Sequence, residues 1–176
     1  MIFILVSCSI RVEFTPVEVG YTPVVIYKDS QVFPPIFFGV PLWEPPMPYD
    51  PYSFPILLSY KILVAEVTFD AWKGIHLSFG SSVLYTDMLV SYNIPVVLGV
   101  SKKICKGRLL YFTSIFPLFK IWSHVKSGGG ICFYDNAGYL KIEIGVKHVP
   151  EAYWGRTGYV YGFYLEIISG FKWRLK

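Results

Sequence analysis

Histidine and cysteine are the residue types that most often bind metals or act as nucleophiles, and the chain has three of each. His76, His124 and His148 are widely spaced, and no C-x-x-C or H-E-x-x-H pattern occurs. A Cys132–His148 pair beside a carboxylate would form a nucleophilic centre, but buried cysteines are usually structural. The sequence therefore predicts no catalytic residue, no metal and no cofactor, and a protein that is not an enzyme.

Carboxylates are the other side chains that could do chemistry, as general acids and bases. Glu143 and Glu166 lie inside predicted strands, whereas Asp50, Asp135 and Glu151 lie at predicted turns. No spacing pairs two of them in the sequence. A carboxylate dyad is therefore not predicted.

The segment Gly155–Tyr164 interleaves Arg156 with glycines and aromatic residues, as the RNA-binding RNP1 strand does. Gly145, Gly155 and Gly158 also resemble the glycine-rich loop near the end of CRISPR-associated RAMP proteins, over that short stretch only. The resemblance transfers no site residue. One alternative function is a nucleic-acid-binding module, in which cations and stacking rings contact the bases and phosphates: Arg156, Tyr159, Tyr161, Lys172, Arg174 and Lys176.

Apolar side chains dominate the composition of the 176 residues: 53% are hydrophobic, 19% aromatic and only 16% charged. Such a chain has ample surface to bury, so it is neither disordered nor a coiled coil. Three cysteines exclude a disulfide scaffold. The length predicts a single domain spanning residues 1–176.

Charge is divided unevenly along the chain. Residues 1–100 hold four basic and eight acidic side chains, whereas residues 101–176 hold twelve basic and four acidic ones. A basic second half could face nucleic acid or the acidic half of a neighbouring subunit.

Membrane insertion through helices is not predicted. A spanning helix needs about 20 mostly apolar residues, but the longest uncharged runs, Ser30–Trp43, Gly74–Thr86 and Met88–Ser101, have at most 14. Met1–Cys8 ends like a lipoprotein signal but lacks a basic start and a full apolar stretch, so we expect a buried first strand there. The predicted location is the cytoplasm or a virion.

The hydrophobic pattern predicts β-strands. Tyr139–His148 alternates, so we expect its four aliphatic residues to point inward and Lys141, Glu143 and Lys147 to point to solvent. The turn residues Asp135–Gly138 join this strand to Ile131–Tyr134 in a hairpin.

Further elements follow from composition and spacing. Ile56–Phe69 is apolar at both parities, which predicts a central strand covered on both sides. A short helix is expected from Pro117, with apolar residues at helical spacing and Gly128–Gly130 as its stop. The other predicted strands are Ile2–Phe14, Val24–Tyr27, Val32–Phe38, Ile75–Phe79, Pro95–Val100, Arg108–Ile115 and Tyr159–Ile168.

Proline is concentrated in one segment: eight of the 13 prolines fall in Pro34–Pro55. Because proline removes backbone donors, this segment is expected to be a rigid ordered loop and not a central strand. Its aromatic residues suit packing against the sheet or against a neighbouring subunit. The candidate assembly interface is Phe37, Phe38, Trp43, Tyr49, Tyr52 and Phe54.

These observations predict an all-β, two-sheet sandwich of the jelly-roll type. One small core cannot bury all the apolar surface, so we expect a non-enzymatic structural subunit of a larger assembly, such as a viral shell. The scarcity of Asn and Gln indicates a thermophilic system. Less favoured alternatives are a barrel that binds a small apolar ligand and an eight-stranded membrane barrel, the latter opposed by the missing signal and by the two-sided strand.

Overall fold

The computed structural model describes residues 10–27, 36–37, 40–41, 58–87, 90–118, 125–150 and 159–172. These residues form twelve strands and no helix. Within them, nothing helical has the length and apolar character needed to cross a bilayer. The strands are β1 (Ile10–Tyr27), β2 (Ile36–Phe37), β3 (Val40–Pro41), β4 (Leu58–Trp72), β5 (Ile75–Ser81), β6 (Leu84–Asp87), β7 (Val90–Asn93), β8 (Pro95–Cys105), β9 (Arg108–Pro117), β10 (Val125–Tyr134), β11 (Gly138–Pro150) and β12 (Tyr159–Phe171).

Eight of the strands close into an antiparallel barrel. They run in the order β1-β12-β11-β10-β9-β8-β5-β4, and pairing of β1 with β4 completes the ring. The two-residue strands β2 and β3 extend from β1, while β6 and β7 extend from the first residues of β4. The prediction of an all-β fold is confirmed. The observed architecture is a closed barrel and does not show the two separate sheets of a jelly-roll sandwich.

The two ends of the barrel are built differently. At one end, here called the turn end, short turns at 73–74, 106–107 and 135–137 join the strands. At the opposite end, here called the loop end, the connections are 28–57, 82–94, 118–124 and 151–158. The proline-rich segment therefore belongs to a loop-end connection, and it lies outside the described residues apart from β2 and β3.

The hairpin predicted around Asp135–Gly138 is confirmed, with Tyr134 opposite Tyr139 in the β10–β11 register. The Asp135 carboxylate accepts backbone hydrogen bonds from Gly138 and Ala137, each 2.8 Å long. These two N–H groups hold the pKa of the exposed Asp135 side chain below its ordinary value. The turn is therefore stabilised by the side chain-to-backbone hydrogen bonds that an Asp at this position predicts.

The predicted helix after Pro117 is absent from the described residues. Pro117 ends β9, Val125 begins β10, and Gly128–Gly130 lie inside β10 instead of stopping a helix. The intervening residues 119–124 lie outside the described part of the chain. Most of the segment predicted to be helical, including Ile121 and Trp122, therefore lies outside the described residues.

The prediction of which side chains face inward on β11 is wrong. Leu140, Ile142, Ile144 and Val146 are on the outer face and exposed, while Glu143 and Lys147 are buried inside the barrel and Lys141 is partly buried there. Alternation with a period of two fixes which residues share a face, but it does not say which face meets water.

The apparent two-sided character of Ile56–Phe69 has a local cause. Leu63 has a positive φ of 52°, and the in–out alternation of β4 changes phase there. Ser59 and Lys61 point inward before Leu63, whereas Val64 and Glu66 point inward after it. The strand therefore has one apolar face and one polar face, and the prediction of a strand covered on both sides is wrong.

Polar and apolar residues are arranged opposite to those of a water-soluble protein. Ten polar or charged residues of the described part are buried, against eight hydrophobic ones, of which three are tyrosines. Every barrel strand has a large apolar side chain exposed on its outer face: Phe14, Phe69, Phe79, Leu98, Phe112, Phe133, Ile144 and Phe163. The barrel is therefore polar inside and apolar outside.

Candidate functional site in the barrel interior

Two ionic clusters lie in the interior. The first, the Glu18 cluster, is centred on the Glu18 carboxylate of β1. One of its oxygens accepts a hydrogen bond from Lys61 of β4, and the other accepts one from the Tyr139 hydroxyl of β11. The ammonium of Lys141 lies 3.4 Å from the same second oxygen. Glu18 thereby connects three barrel strands, one of which, β11, is not a neighbour of β1 in the sheet.

The second, the Glu166 cluster, is centred on Glu166 of β12, which has no solvent exposure. Ser59 donates to one carboxylate oxygen and Lys126 of β10 donates to the other. Lys126 Nζ also lies 3.7 Å from Glu143 Oε1, to which the Tyr164 hydroxyl donates at 2.6 Å. A buried ion pair is favourable only when the carboxylate oxygens have further hydrogen-bond partners. Each oxygen of Glu166 and Glu143 has one, since Thr113 donates to the second oxygen of Glu143 at 3.5 Å.

The charges of the two clusters balance, because three carboxylates face three ammonium groups. The carboxylates are Glu18, Glu143 and Glu166, and the ammonium groups are Lys61, Lys126 and Lys141. Tyrosine rings add cation–π contacts, with Lys141 Nζ 4.6 Å from the Tyr139 ring centroid and Lys126 Nζ 4.8 Å from that of Tyr164. The two clusters, counted without the neighbouring buried Lys147, thus carry no net charge and are cross-linked by electrostatic contacts.

Glycines on the inner face give the clusters room. A Cβ atom on Gly20 would meet the side chains of Glu166 and Ser59, and one on Gly128 would meet the Tyr164 hydroxyl and Glu143. The glycine run that the sequence analysis assigned to a helix stop therefore places a residue without a side chain beside a buried carboxylate.

A cavity of about 310 Å³ occupies the part of the interior toward the turn end. Polar and charged side chains dominate its lining, and they include Glu66, Ser101, Tyr111 and Lys103. Near its mouth, Lys172 pairs with Glu13, and His76 hydrogen-bonds Asp70. Among the described residues, no group of three or more His, Cys, Asp and Glu side chains could hold a metal ion.

The structure describes only some of the candidate residues named in the sequence analysis. Of the six proposed nucleic-acid contacts, only the Lys172 side chain is described, and it points into the barrel mouth. For Tyr159 and Tyr161 the structure describes only the backbone of β12, while Arg156, Arg174 and Lys176 lie outside the described residues.

Of the six proposed assembly residues, Phe37 is described only as backbone in β2. Phe38, Trp43, Tyr49, Tyr52 and Phe54 lie outside the described residues. Cys132 and His148 fall at opposite ends of the β10–β11 ladder, so the register does not bring them together.

Sequence reasoning missed the ionic clusters, although a signal was present. Charged residues at every second position of β11 were assigned to the solvent side because globular proteins expose charges. β1, β4, β10 and β12 each contain at least one Glu or Lys, so a comparison of all strands would have shown that opposite charges are available to neutralise one another.

No known protein family matches the chain, and neither a curated protein nor a solved structure shows significant similarity to it. Its function is therefore inferred from the geometry of the barrel.

Proposed function

We propose that the chain is a membrane-embedded β-barrel with a structural, non-enzymatic role, and that its outer face contacts lipid. The supporting observation is the apolar outer face of all eight barrel strands around a charged interior. Soluble monomers rarely expose apolar patches larger than a few hundred Å², because each Å² exposed to water costs roughly 25 cal/mol. In lipid that cost vanishes, and a closed barrel leaves no unpaired strand edge.

The strand lengths suit this proposal. A tilted strand needs about 9–11 residues to cross the hydrocarbon core of a bilayer. β8 has 11 residues, β9 and β10 have 10 each, and β11 and β12 have 13 each. β5 has only seven, but β6 continues along β4 beyond it.

The unequal ends of the barrel provide independent support. Membrane barrels have short turns on one side and longer loops on the other. The described chain has this asymmetry, with two- and three-residue turns at one end and connections of seven residues or more at the other. The long connections would then be the parts available to contact partners outside the bilayer.

The interior supports an anchoring role over an open pore. An eight-stranded barrel is only wide enough for side chains to fill. The Glu166 cluster fills the loop-end side of the cavity, and Tyr85 and Glu166 there are fully buried. We therefore expect no steady ion conductance from the reconstituted protein.

The shell-subunit prediction remains a second candidate, since neighbouring subunits could cover the same apolar face. It differs from the membrane proposal in what touches the outer side chains: protein in one case and acyl chains in the other. A probe attached to the outer face distinguishes the two directly.

The test uses spin labels on β8 in a variant whose three natural cysteines are replaced. Leu98→Cys places the label on the outer face, and the matched control Ser101→Cys places it on the cavity side. The protein is reconstituted in phosphatidylcholine vesicles. Collision rates with oxygen, which concentrates in lipid, and with a water-soluble nickel chelate are then measured for each label.

We expect the Leu98 label to collide often with oxygen and rarely with nickel, and the Ser101 label to show the weaker oxygen response. Low collision rates for both reagents at Leu98 would indicate a protein-covered face and favour the shell subunit. Frequent nickel collisions at Leu98 would indicate a water-exposed face and overturn the membrane proposal.

A further inference from the structure

Basic side chains are concentrated in one sector of the turn end. Lys73 lies in the β4–β5 turn, and Lys102, Lys106 and Arg108 lie in or beside the β8–β9 turn. All four are exposed. The backbone N–H of Lys103 donates to the carbonyl of Gly74 at 3.3 Å, so the two turns are adjacent in space.

Acidic residues are missing from these two turns. Between Lys73 and Arg108 the sequence has one carboxylate, Asp87, which lies in β6 toward the loop end. Two acids lie nearby at the turn end. Asp70 faces Arg11 at 3.6 Å and hydrogen-bonds His76. Asp135 follows Tyr134, whose N–H donates to the Gly107 carbonyl of the β8–β9 turn at 2.9 Å. The four basic residues, here called the basic rim, outnumber these two carboxylates, so this sector has a local excess of positive charge.

The basic rim borders the apolar wall of the barrel. Lys102 is opposite Leu110 in the β8–β9 register, and Leu110 is exposed on the outer face. The guanidinium of Arg108 lies 5.6 Å from the ring centroid of Phe133, another exposed outer residue. Cations at the edge of an apolar band are placed where lipid phosphates would lie if that band were inside a bilayer.

We propose that the basic rim binds the headgroups of anionic lipids, and that it thereby fixes the turn end at the more anionic leaflet. The inference rests on the proposed membrane location. Charge complementarity carries it: ammonium and guanidinium groups attract anionic headgroups over about a Debye length, and each adds to the binding. Arg108 can hold a phosphate with two parallel hydrogen bonds.

The test compares spin-labelled phosphatidylglycerol with spin-labelled phosphatidylcholine around the reconstituted barrel. At low salt we expect the motionally restricted lipid fraction to favour phosphatidylglycerol on the order of fivefold. The variant K73Q/K102Q/K106Q/R108Q should lose the preference, and salt should weaken it in the parent protein. The control K28Q/K120Q removes two positive charges from loop-end connections and should retain it.

Two failures can be told apart. In the first, the Leu98 label lies in lipid, but the parent protein does not select phosphatidylglycerol, or the rim variant selects it as strongly as the parent does. The basic rim is then not a headgroup site, and the membrane proposal stands. If the Leu98 label does not contact lipid, both proposals fall.

Discussion

The inner and outer faces of β11 show two opposite chemistries on one strand. Lys141 and Glu143 take part in ionic clusters, while their neighbours Ile142 and Ile144 are exposed on the outside, Ile144 to 66%. In a water-soluble barrel these roles would be exchanged. The comparison teaches that alternation defines two faces but does not by itself say which of them turns outward.

The strongest test of the inner face removes one charge from the Glu166 cluster. Lys126→Met leaves the fully buried Glu166 carboxylate without its ammonium partner, and loss of one member of a buried pair costs about 3–5 kcal/mol. Urea unfolding of the reconstituted barrel, followed by far-ultraviolet circular dichroism, measures the loss.

The matched controls for Lys126→Met are a double variant and a variant of the ion pair at the cavity mouth. K126M/E166M removes both partners and should recover at least half of the lost stability, because paired apolar residues of similar volume often replace an ion pair well. Lys172→Met breaks the partly exposed pair with Glu13 and should cost less than about 1 kcal/mol. A Lys126→Met variant as stable as the parent would contradict the structural role of the cluster.

The outer face is tested by placing a charge at two depths on β11. Ile144 is midway along the strand, and Ile144→Lys should lower the free energy of unfolding from bilayers by about 2–4 kcal/mol. Leu140 is near the turn end, so Leu140→Lys should cost only about 0–1 kcal/mol. The same unfolding measurement in vesicles compares them. Equal effects at the two depths, or a neutral Ile144→Lys, would be the result expected of a face in water.

Substitution of Leu63, where the alternation of β4 changes phase, should give the smallest change in the free energy of unfolding. A left-handed backbone costs a non-glycine residue about 1–2 kcal/mol, so Leu63→Gly should stabilise the barrel by up to that amount. Leu63→Val should destabilise it, because a β-branched side chain tolerates positive φ poorly. Thermal unfolding of both variants is compared with Ile62→Gly, a neighbouring change at an ordinary strand position that should destabilise. A Leu63→Gly variant that loses as much stability as Ile62→Gly would show that the phase change is not strained.

Part of the fold could be predicted from the sequence. Alternation located β11, and the turn residues Asp135–Gly138 predicted the hairpin that joins it to β10. These features are local, and their signals come from residues a few positions apart. Closure of the barrel depends on β1 pairing with both β4 and β12, which lie far from it along the chain. No local pattern encodes that pairing.

The candidate site was out of reach for a second reason. Glu18 contacts Tyr139, which is 121 residues away in sequence, and Ser59 contacts Glu166, which is 107 residues away. Each residue alone looks like an ordinary surface charge or hydroxyl. The phase change at Leu63 also hid the alternation of β4, because residues of both faces share one parity across it.

The seam between the first and last barrel strands has a consequence for biogenesis. Because β1 pairs with β12 as well as with β4, a chain still being synthesised has an open strand edge on β1 and lacks the carboxylate of Glu166 opposite Lys126. The ring therefore cannot close before β12 has formed. A chain shortened before β12 would expose the unpaired edge of β1 and would lack the Glu166 carboxylate beside Lys126. A cell making this protein would need to shield the unclosed sheet until synthesis is complete.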